Sequence, residues 1–299
     1  MGLTAIVLGA AAGGGFPQWN CNCEVCRLAW AGDSRVRART QASLAVSSGH
    51  QPWTLLNASP DLRAQIQANP ALHPRDLRAS PIKSVVLTGA EIDQTTGLLN
   101  LRERSAFTIM ATATTLAAVA DNPMFGALAP DVVSRCAIFP GQRFKLAGGL
   151  EAELFMVPGK VPLYLEGENP ETAEESAANV GVEITDGNKR LAYVPGAAAV
   201  TPALRQRLSR ADVILFDGTL FTDDEMIRTG TGTKAGRRMG HMPIDGEDGS
   251  LVVLQGLSAR KIFVHINNTN PILVDGSTER RRVEAAGWEV AEDGMEIVL

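Results

Sequence analysis

A chain of 299 residues, 45% hydrophobic and 20% charged, has the composition of a folded protein with a large core and excludes a disordered one. Its 28 Lys plus Arg against 33 Asp plus Glu leave a net charge of -5, which gives no electrostatic reason for a nucleic acid or an anionic membrane as partner and points to a small ligand. No linker-like or charge-block segment divides the chain, so one domain over residues 1–299 is expected.

From the N-terminus, LTAIVLGA reads as a strand and GAAAGGGFPQW, Gly9 to Trp19, as a glycine-rich turn. A dinucleotide-binding reading fails on spacing, because glycines at 9, 13, 14 and 15 do not give G-x-G-x-x-G and Phe16-Pro17 does not open a helix. CNCEVC then places thiols at Cys21, Cys23 and Cys26, three soft ligands close enough to wrap one tetrahedral cation, for which zinc is the natural ion. Strands ASLAVSS and WTLLNAS and a helix in PDLRAQIQANP lead to the strand IKSVVLTG. At its end Glu91, Asp93 and Gln94 crowd a turn before the helix pattern DQTTGLLNLRER, so Asp93 is either a helix cap or a ligand delivered by a strand end.

Further along come the strand FTIMAT, the helix TTLAAVADNP, the strand LEAELFMVPG and a polar stretch, Glu168 to Asn179, expected as an exposed loop. VGVEITDG, RLAYVPG, ADVILFDGT, KIFVHIN and MEIVL read as strands, with helices in VTPALRQRLSR, DGSLVVLQGL and STERRRVEAAG. Strands apolar on both faces alternating with helices give a mixed α/β (α+β) class with sheets covered by helices. Asp217 and His265 each end an apolar strand, as Asp93 nearly does, and would meet only at a shared sheet edge. Otherwise Asp217 starts a turn with Gly218 and His265 is a hydrogen-bonded structural residue.

The thiols need a fourth ligand. Cys136 sits in the apolar stretch SRCAIF, while His50 and His73 lie in turn-like contexts and are expected to be solvated. His241, which follows a glycine-rich loop, is therefore expected to complete the thiol site. No apolar run reaches the roughly 18 residues of a membrane span, no basic segment precedes the apolar N-terminus, and the cysteines do not look paired, so a cytoplasmic location is expected. Nothing in the chain fixes an oligomeric state, and a homodimer is compatible with it.

GAAAGGGFPQWNCNCEVC, LLNASPDLR, VVLTGAEIDQTTGLLNLRE, FDGTLF, MGHMPI and HINNTNPI, taken in order, resemble the coenzyme PQQ synthesis protein B family within the metallo-β-lactamase superfamily. The resemblance implies a four-layer αββα sandwich, two mixed β-sheets face to face with helices outside. Superfamily members carry T-H-x-H-x-D-H where this chain has Thr88, Gly89, Ala90, Glu91, Ile92, Asp93 and Gln94, and their next histidine falls at Lys160. The implied active-site metal is then held by Asp93, Asp217 and His265, with Glu91 and Gln94 as additional ligands or neighbours. Cys21, Cys23, Cys26 and His241 are implied to hold a structural zinc. One imidazole among carboxylates favours Fe(II) over zinc.

For the family, the resemblance implies a step in making pyrroloquinoline quinone (PQQ) from a cross-linked Glu–Tyr amino acid whose tyrosine ring must gain oxygen. The implied activity is an Fe(II)- and O2-dependent hydroxylation, with Asp93, Asp217 and His265 catalytic. Lys160, Asn267 and Asn268 either bind substrate carboxylates or act as cap and turn residues. A non-catalytic carrier of PQQ or its precursor is the competing reading, and a residual metal-dependent hydrolase the third.

Overall fold

The computed structural model describes residues 2–49, 52–167 and 174–299, so His50 and residues 168–173 of the polar stretch lie outside it. The first half of the chain supplies β1 (Leu3–Gly9), β2 (Ser43–Ser48), β3 (Trp53–Leu56), β4 (Ile82–Val86), β5 (Phe107–Ala111) and β6 (Val133–Ala137). The second half supplies β7 (Arg143–Lys145), β8 (Glu151–Pro158), β9 (Glu175–Thr185), β10 (Arg190–Val194), β11 (Val213–Asp217), β12 (Arg260–Val264) and β13 (Trp288–Val290), and β14 (Glu296–Val298) returns to the first sheet. The sheets run β14-β1-β2-β3-β4-β5-β6 and β13-β12-β11-β10-β9-β8-β7. Each is mixed, parallel from β3 to β6 in one and from β10 to β13 in the other.

The period-two pattern explains the layers. Along β1, Leu3, Ala5 and Val7 point between the sheets with Val182, Ile184, Leu215 and Val264, while Ile6 and Leu8 point outward to a core with Leu62 of the helix Leu62–Ala68 and Val119. On the outer side of the second sheet, Ile214, Phe216 and Phe263 pack with Leu204 and Leu208 from the helix Pro202–Leu208 and Val283 from Thr278–Ala285. Three apolar layers separate four layers of backbone, the metallo-β-lactamase sandwich. No helix among the described residues is long and apolar enough to cross a membrane.

Two expectations from the sequence are corrected. The helix through DQTTGLLNLRER is a single α-turn, Ile92–Thr95, continued as a 3-10 helix, Thr96–Leu101. Gly97 is drawn against the turn after β3, its N–H donating to Ala58 O at 2.8 Å, and a Cβ there would meet Ser59 O at 2.1 Å, so the tight approach replaces regular helix. Residues Glu175 to Asn179, expected in a loop, open β9, where Val180 N donates to Thr88 O at 2.9 Å and ties the two sheets together.

Thr88 is also held from the first sheet. Asn57 adopts φ 62, a left-handed conformation asparagine tolerates, and its buried amide accepts from Thr88 N at 2.9 Å and donates to Thr88 Oγ1 at 2.9 Å. Asn57→Ala should lose both bonds, orphan a buried N–H and keep the strained φ, costing about 2–4 kcal/mol. Urea denaturation checks this, and a loss below about 0.5 kcal/mol would show that the Asn57–Thr88 tie does not secure the ends of β3 and β4.

Candidate metal centres

Parallel pairing of β11 with β12 sets Asp217 opposite Val264, so His265 leaves its strand one residue beyond Asp217 on the neighbouring strand. The chain after β11 contributes Thr219, and His241 returns to the same place. Asp217, His241 and His265 each offer a ligand atom within 4.8 Å of the others. Asp217 Oδ2 accepts from Ala197 N at 2.9 Å and lies 2.7 Å from His241 Nδ1, and its Oδ1 accepts from Thr219 N at 3.0 Å and from Thr219 Oγ1 at 2.6 Å. Thr219 Oγ1 also lies 2.8 Å from His265 Nδ1 and 3.1 Å from His241 Nδ1. A hydroxyl has one proton to give, so with that proton on Asp217 these contacts require ring N–H groups to donate to it.

Asp93 approaches from the first sheet. Its Oδ2 lies 2.9 Å from His265 Nε2, on the other side of the ring from Thr219. His265 has φ 55, a strained conformation for a residue with a Cβ, held by Ile266 N donating to Ala10 O at 2.9 Å. The glycine-rich turn passes beside the carboxylate: a Cβ on Gly13 would sit 3.7 Å from Asp93 Oδ2. Burial opposes ionisation of Asp93 and of Asp217, but the neighbouring histidines outweigh it and hold both carboxyls below their usual range. Burial likewise lowers His265, and the hydrogen bond and charge of Asp93 reverse this, so its net shift is upward.

The expectation that His241 completes the thiol site is corrected, because its ring stacks on His265 with centroids 5.1 Å apart. Asn268 takes that place. Its amide nitrogen lies 3.1 Å from Cys21 Sγ, 3.2 Å from Cys26 Sγ and 3.8 Å from Cys23 Sγ, facing all three sulfurs. The sulfurs cluster because Cys23 caps the helix Glu24–Trp30, accepting from Cys26 N at 3.5 Å. Burial, with the neighbouring thiols, pushes Cys23 up to about 12 and raises Cys26, whereas at Cys21 burial is outweighed by hydrogen bonds with Cys23, Cys26 and Asn268 and the thiol is lowered, so Cys21 ionises first and the other two resist until a cation offsets the mutual repulsion. Three sulfurs and one amide oxygen, after rotation of the amide, fit a closed tetrahedral zinc.

Glu91 and Gln94 are not brought into the histidine cluster. Gln94 Oε1 accepts from Glu91 N at 3.3 Å, a helix-capping bond, and a Cβ on Gly89 would come within 2.5 Å of that oxygen. The position of the missing superfamily histidine is thus filled by the cap. Glu91 is engaged instead by Leu163 N at 3.1 Å and by Lys160 Nζ at 3.3 Å. Lys160 and Asn267 line a cavity of about 540 Å³ together with Asp93, His241 and His265, whereas Asn268 faces the thiols.

One loop serves both centres. Between His265 and Asn270, Asn267 Nδ2 donates to Thr269 Oγ1 at 2.6 Å, Thr269 donates to Glu225 Oε1 at 2.6 Å, and Asn270 Nδ2 donates to Gly218 O at 2.9 Å. Glu225 is buried and its carboxyl is pushed up to about 7. The sequence reading singles out neither Glu225 nor Thr219, although Thr219 lies two residues past a strand-end aspartate.

A folded-state value near 7 against 4.5 unfolded means the folded protein binds this proton more tightly. Glu225 therefore contributes full stability below pH 4.5, and that contribution falls as pH rises through 7. Glu225→Gln should flatten this slope, which is at most about 3 kcal/mol, in denaturation curves taken across that range; an unchanged slope would refute the assignment. For the thiol site, Cys23→Ala should release zinc and lower the melting temperature, Asn268→Ala should weaken zinc binding about tenfold or more, and His241→Ala should leave that zinc in place. Metal analysis of the purified variants checks this, and full zinc content in Cys23→Ala would rule the site out.

The model of the beta-lactamase superfamily domain matches residues 52–266. Over 296 residues the chain is 55% identical to the coenzyme PQQ synthesis protein B of Methylorubrum extorquens, covering 98% of this chain and 99% of that one. With the protein of the same name from Rhizobium meliloti it shares 56% over 298 residues, covering 99% and 98%. A crystal structure of Zn2+-bound PqqB from Methylobacterium extorquens aligns with a TM-score of 0.97 at 54% identity, over 99% of this chain and 100% of that one. A diphosphatase of the PhnP family, 19% identical with a TM-score of 0.69 over 99% and 97% of the two chains, shares the fold. Identity at this level over nearly the whole of both chains places the protein in the coenzyme PQQ synthesis protein B family of the β-lactamase superfamily.

Proposed function

We propose that this chain acts in PQQ biosynthesis as a metal-dependent hydroxylase of the tyrosine ring in a cross-linked Glu–Tyr precursor. The observation that carries the reading is the donor set: two imidazoles and one carboxylate, His241, His265 and Asp217, gathered within 4.8 Å. That is the ligand composition of non-haem Fe(II) oxygenases; relative to the sequence reading, His241 takes the place of Asp93 among the ligands, and Asp93 stands against His265 Nε2 instead. Membership among coenzyme PQQ synthesis B proteins supports the pathway, and the cavity, at about 540 Å³, suits a bicyclic amino acid.

Held by these three residues, Fe(II) would supply the binding and activation of O2. The chain's own groups do the rest. A ligating imidazole gives one nitrogen to the metal, so His265 would exchange one of its two contacts, to Thr219 or to Asp93, for the ion; the contact that remains and the strained turn at His265 fix where that ring points, and the short approach of Asp217 to His241 Nδ1 places the second ring beside it. Asp93, kept ionised in the cavity wall, is placed to take the proton a ring carbon sheds as it becomes a phenol carbon. Ala90, Ile92, Pro162 and Leu163 line the cavity as an apolar wall for the aromatic ring.

The test is oxygen consumption by the zinc-loaded protein given the precursor, Fe(II) and ascorbate as electron donor, with isotopically heavy O2 traced into the product. One labelled oxygen atom per new hydroxyl is expected, and His241→Ala and Asp93→Ala should each lower kcat by at least about 100-fold while folding normally. Turnover without O2, or unchanged turnover in His241→Ala, would refute the reading. Binding of precursor with no oxygen uptake would favour the carrier, and zinc-dependent hydrolysis of phosphodiesters the hydrolase.

A further inference from the structure

The cavity has a second polar feature that the proposed chemistry does not use. Glu166, just past the 3-10 turn Leu163–Leu165, has a side chain only 7% exposed and lies in the cavity wall. Lys160 Nζ forms a close ion pair with it, Lys234 Nζ lies 3.3 Å away and Arg238 Nη1 3.6 Å away. Three cations from two separate segments thus converge on one carboxylate.

The cradle is formed independently of its occupant. Gly240, at φ 87, lies against the stem of Lys160, where a Cβ would come within 3.1 Å of Cγ, so the direction of that lysine is set by the fold. Lys234 and Arg238 keep 42% and 37% of their side-chain surface exposed, which leaves solvent a route to the charges. By contrast, the turn that carries Glu166 has little apolar anchorage: Leu163 is 57% and Leu165 54% exposed. Polar ties hold it, namely Leu163 N to Glu91, Tyr164 OH donating to Ala90 O at 2.8 Å, and the Glu166 ion pairs.

We infer that Lys160, Lys234 and Arg238 form a carboxylate-binding subsite of the cavity and that Glu166 is its internal occupant, displaced when a ligand carboxylate enters. The inference rests on the cavity being the substrate site, and it specifies the ligand as an aromatic carboxylate: ring along Ile92, Pro162 and Leu163, acid group on the cations. Exchanging one carboxylate for another leaves no buried cation unpaired, so the desolvation cost of the site is already met. The remaining cost is removal of a tethered competitor, which weakens binding by its effective concentration.

Isothermal titration of the zinc-loaded, full-length protein with trimesate, a redox-silent aromatic tricarboxylate, tests this against its neutral triamide. Glu166→Gln should bind trimesate about tenfold more tightly than the unaltered protein, Lys234→Met about tenfold more weakly, and the triamide should bind none of the three. Equal or weaker binding by a Glu166→Gln protein with an unchanged melting temperature would show Glu166 to be a structural tie and overturn the proposal. Should that variant fail to fold, Lys234→Met, altered at a largely solvated group, decides alone: unchanged affinity overturns the subsite. Because trimesate cannot be hydroxylated under these conditions, trimesate results bear on the subsite, whereas absent oxygen uptake with the precursor bears on the hydroxylase reading.

Discussion

The parallel register of β11 and β12 is the constraint on which the histidine cluster depends. Because Asp217 pairs with Val264, the last residue of one strand and the first residue beyond the other emerge side by side, and the left-handed turn at His265 redirects its ring toward the aspartate. Slipping the pairing by one residue would turn the inward set of each strand outward, so the apolar cores on both sides of the second sheet enforce the register that assembles the site. Stability of the sandwich and placement of the ligands are thus the same physical fact.

Thr219 converts that register into a defined geometry. Its hydroxyl touches Asp217, His241 and His265, and its limited proton supply restricts which ring nitrogens carry hydrogen. A divalent ion here would replace this internal network with its own bonds, exchanging shared protons for a charge that the ionised Asp217 and Asp93 already favour. The superfamily's other metal position is closed by packing: the Gln94 cap occupies the space beside Gly89, and Lys160 is turned into ion pairs with Glu91 and Glu166.

The two centres are mechanically linked. Six consecutive residues from His265 to Asn270 place an imidazole in one and an amide at the other, and the asparagines between them spend their side chains on Thr269, Gly218 and the thiols. Cys21 to Cys26 follow directly from the glycine turn that passes Asp93, and Ala12 N donates to Ile266 O at 2.9 Å. A zinc at the thiols would therefore brace the backbone that follows His265, a structural role felt at the histidine cluster.

The layers and the local groups of side chains are written in the order of the residues. Alternating apolar positions in LTAIVLGA and doubly apolar runs such as VILF need no partner to be read, because burial on one or two faces is written at period two. Cys21, Cys23 and Cys26 were legible for the same reason, their closeness being a property of six residues of chain. Pairing at a distance is settled by packing alone. His241 carries the same imidazole whichever centre it joins, and nothing local to MGHMPI distinguishes them; the fold sets it 2.7 Å from Asp217 and gives the thiols Asn268 instead. Glu91 and Gln94 look like ligands in one dimension, but a one-turn helix closed by the approach of Gly97 to Ser59 makes Gln94 a cap and leaves Glu91 to Lys160. Spacing encodes the groups that share a turn or a strand, whereas groups brought together from separate strands meet at distances set by the packing of every layer between them.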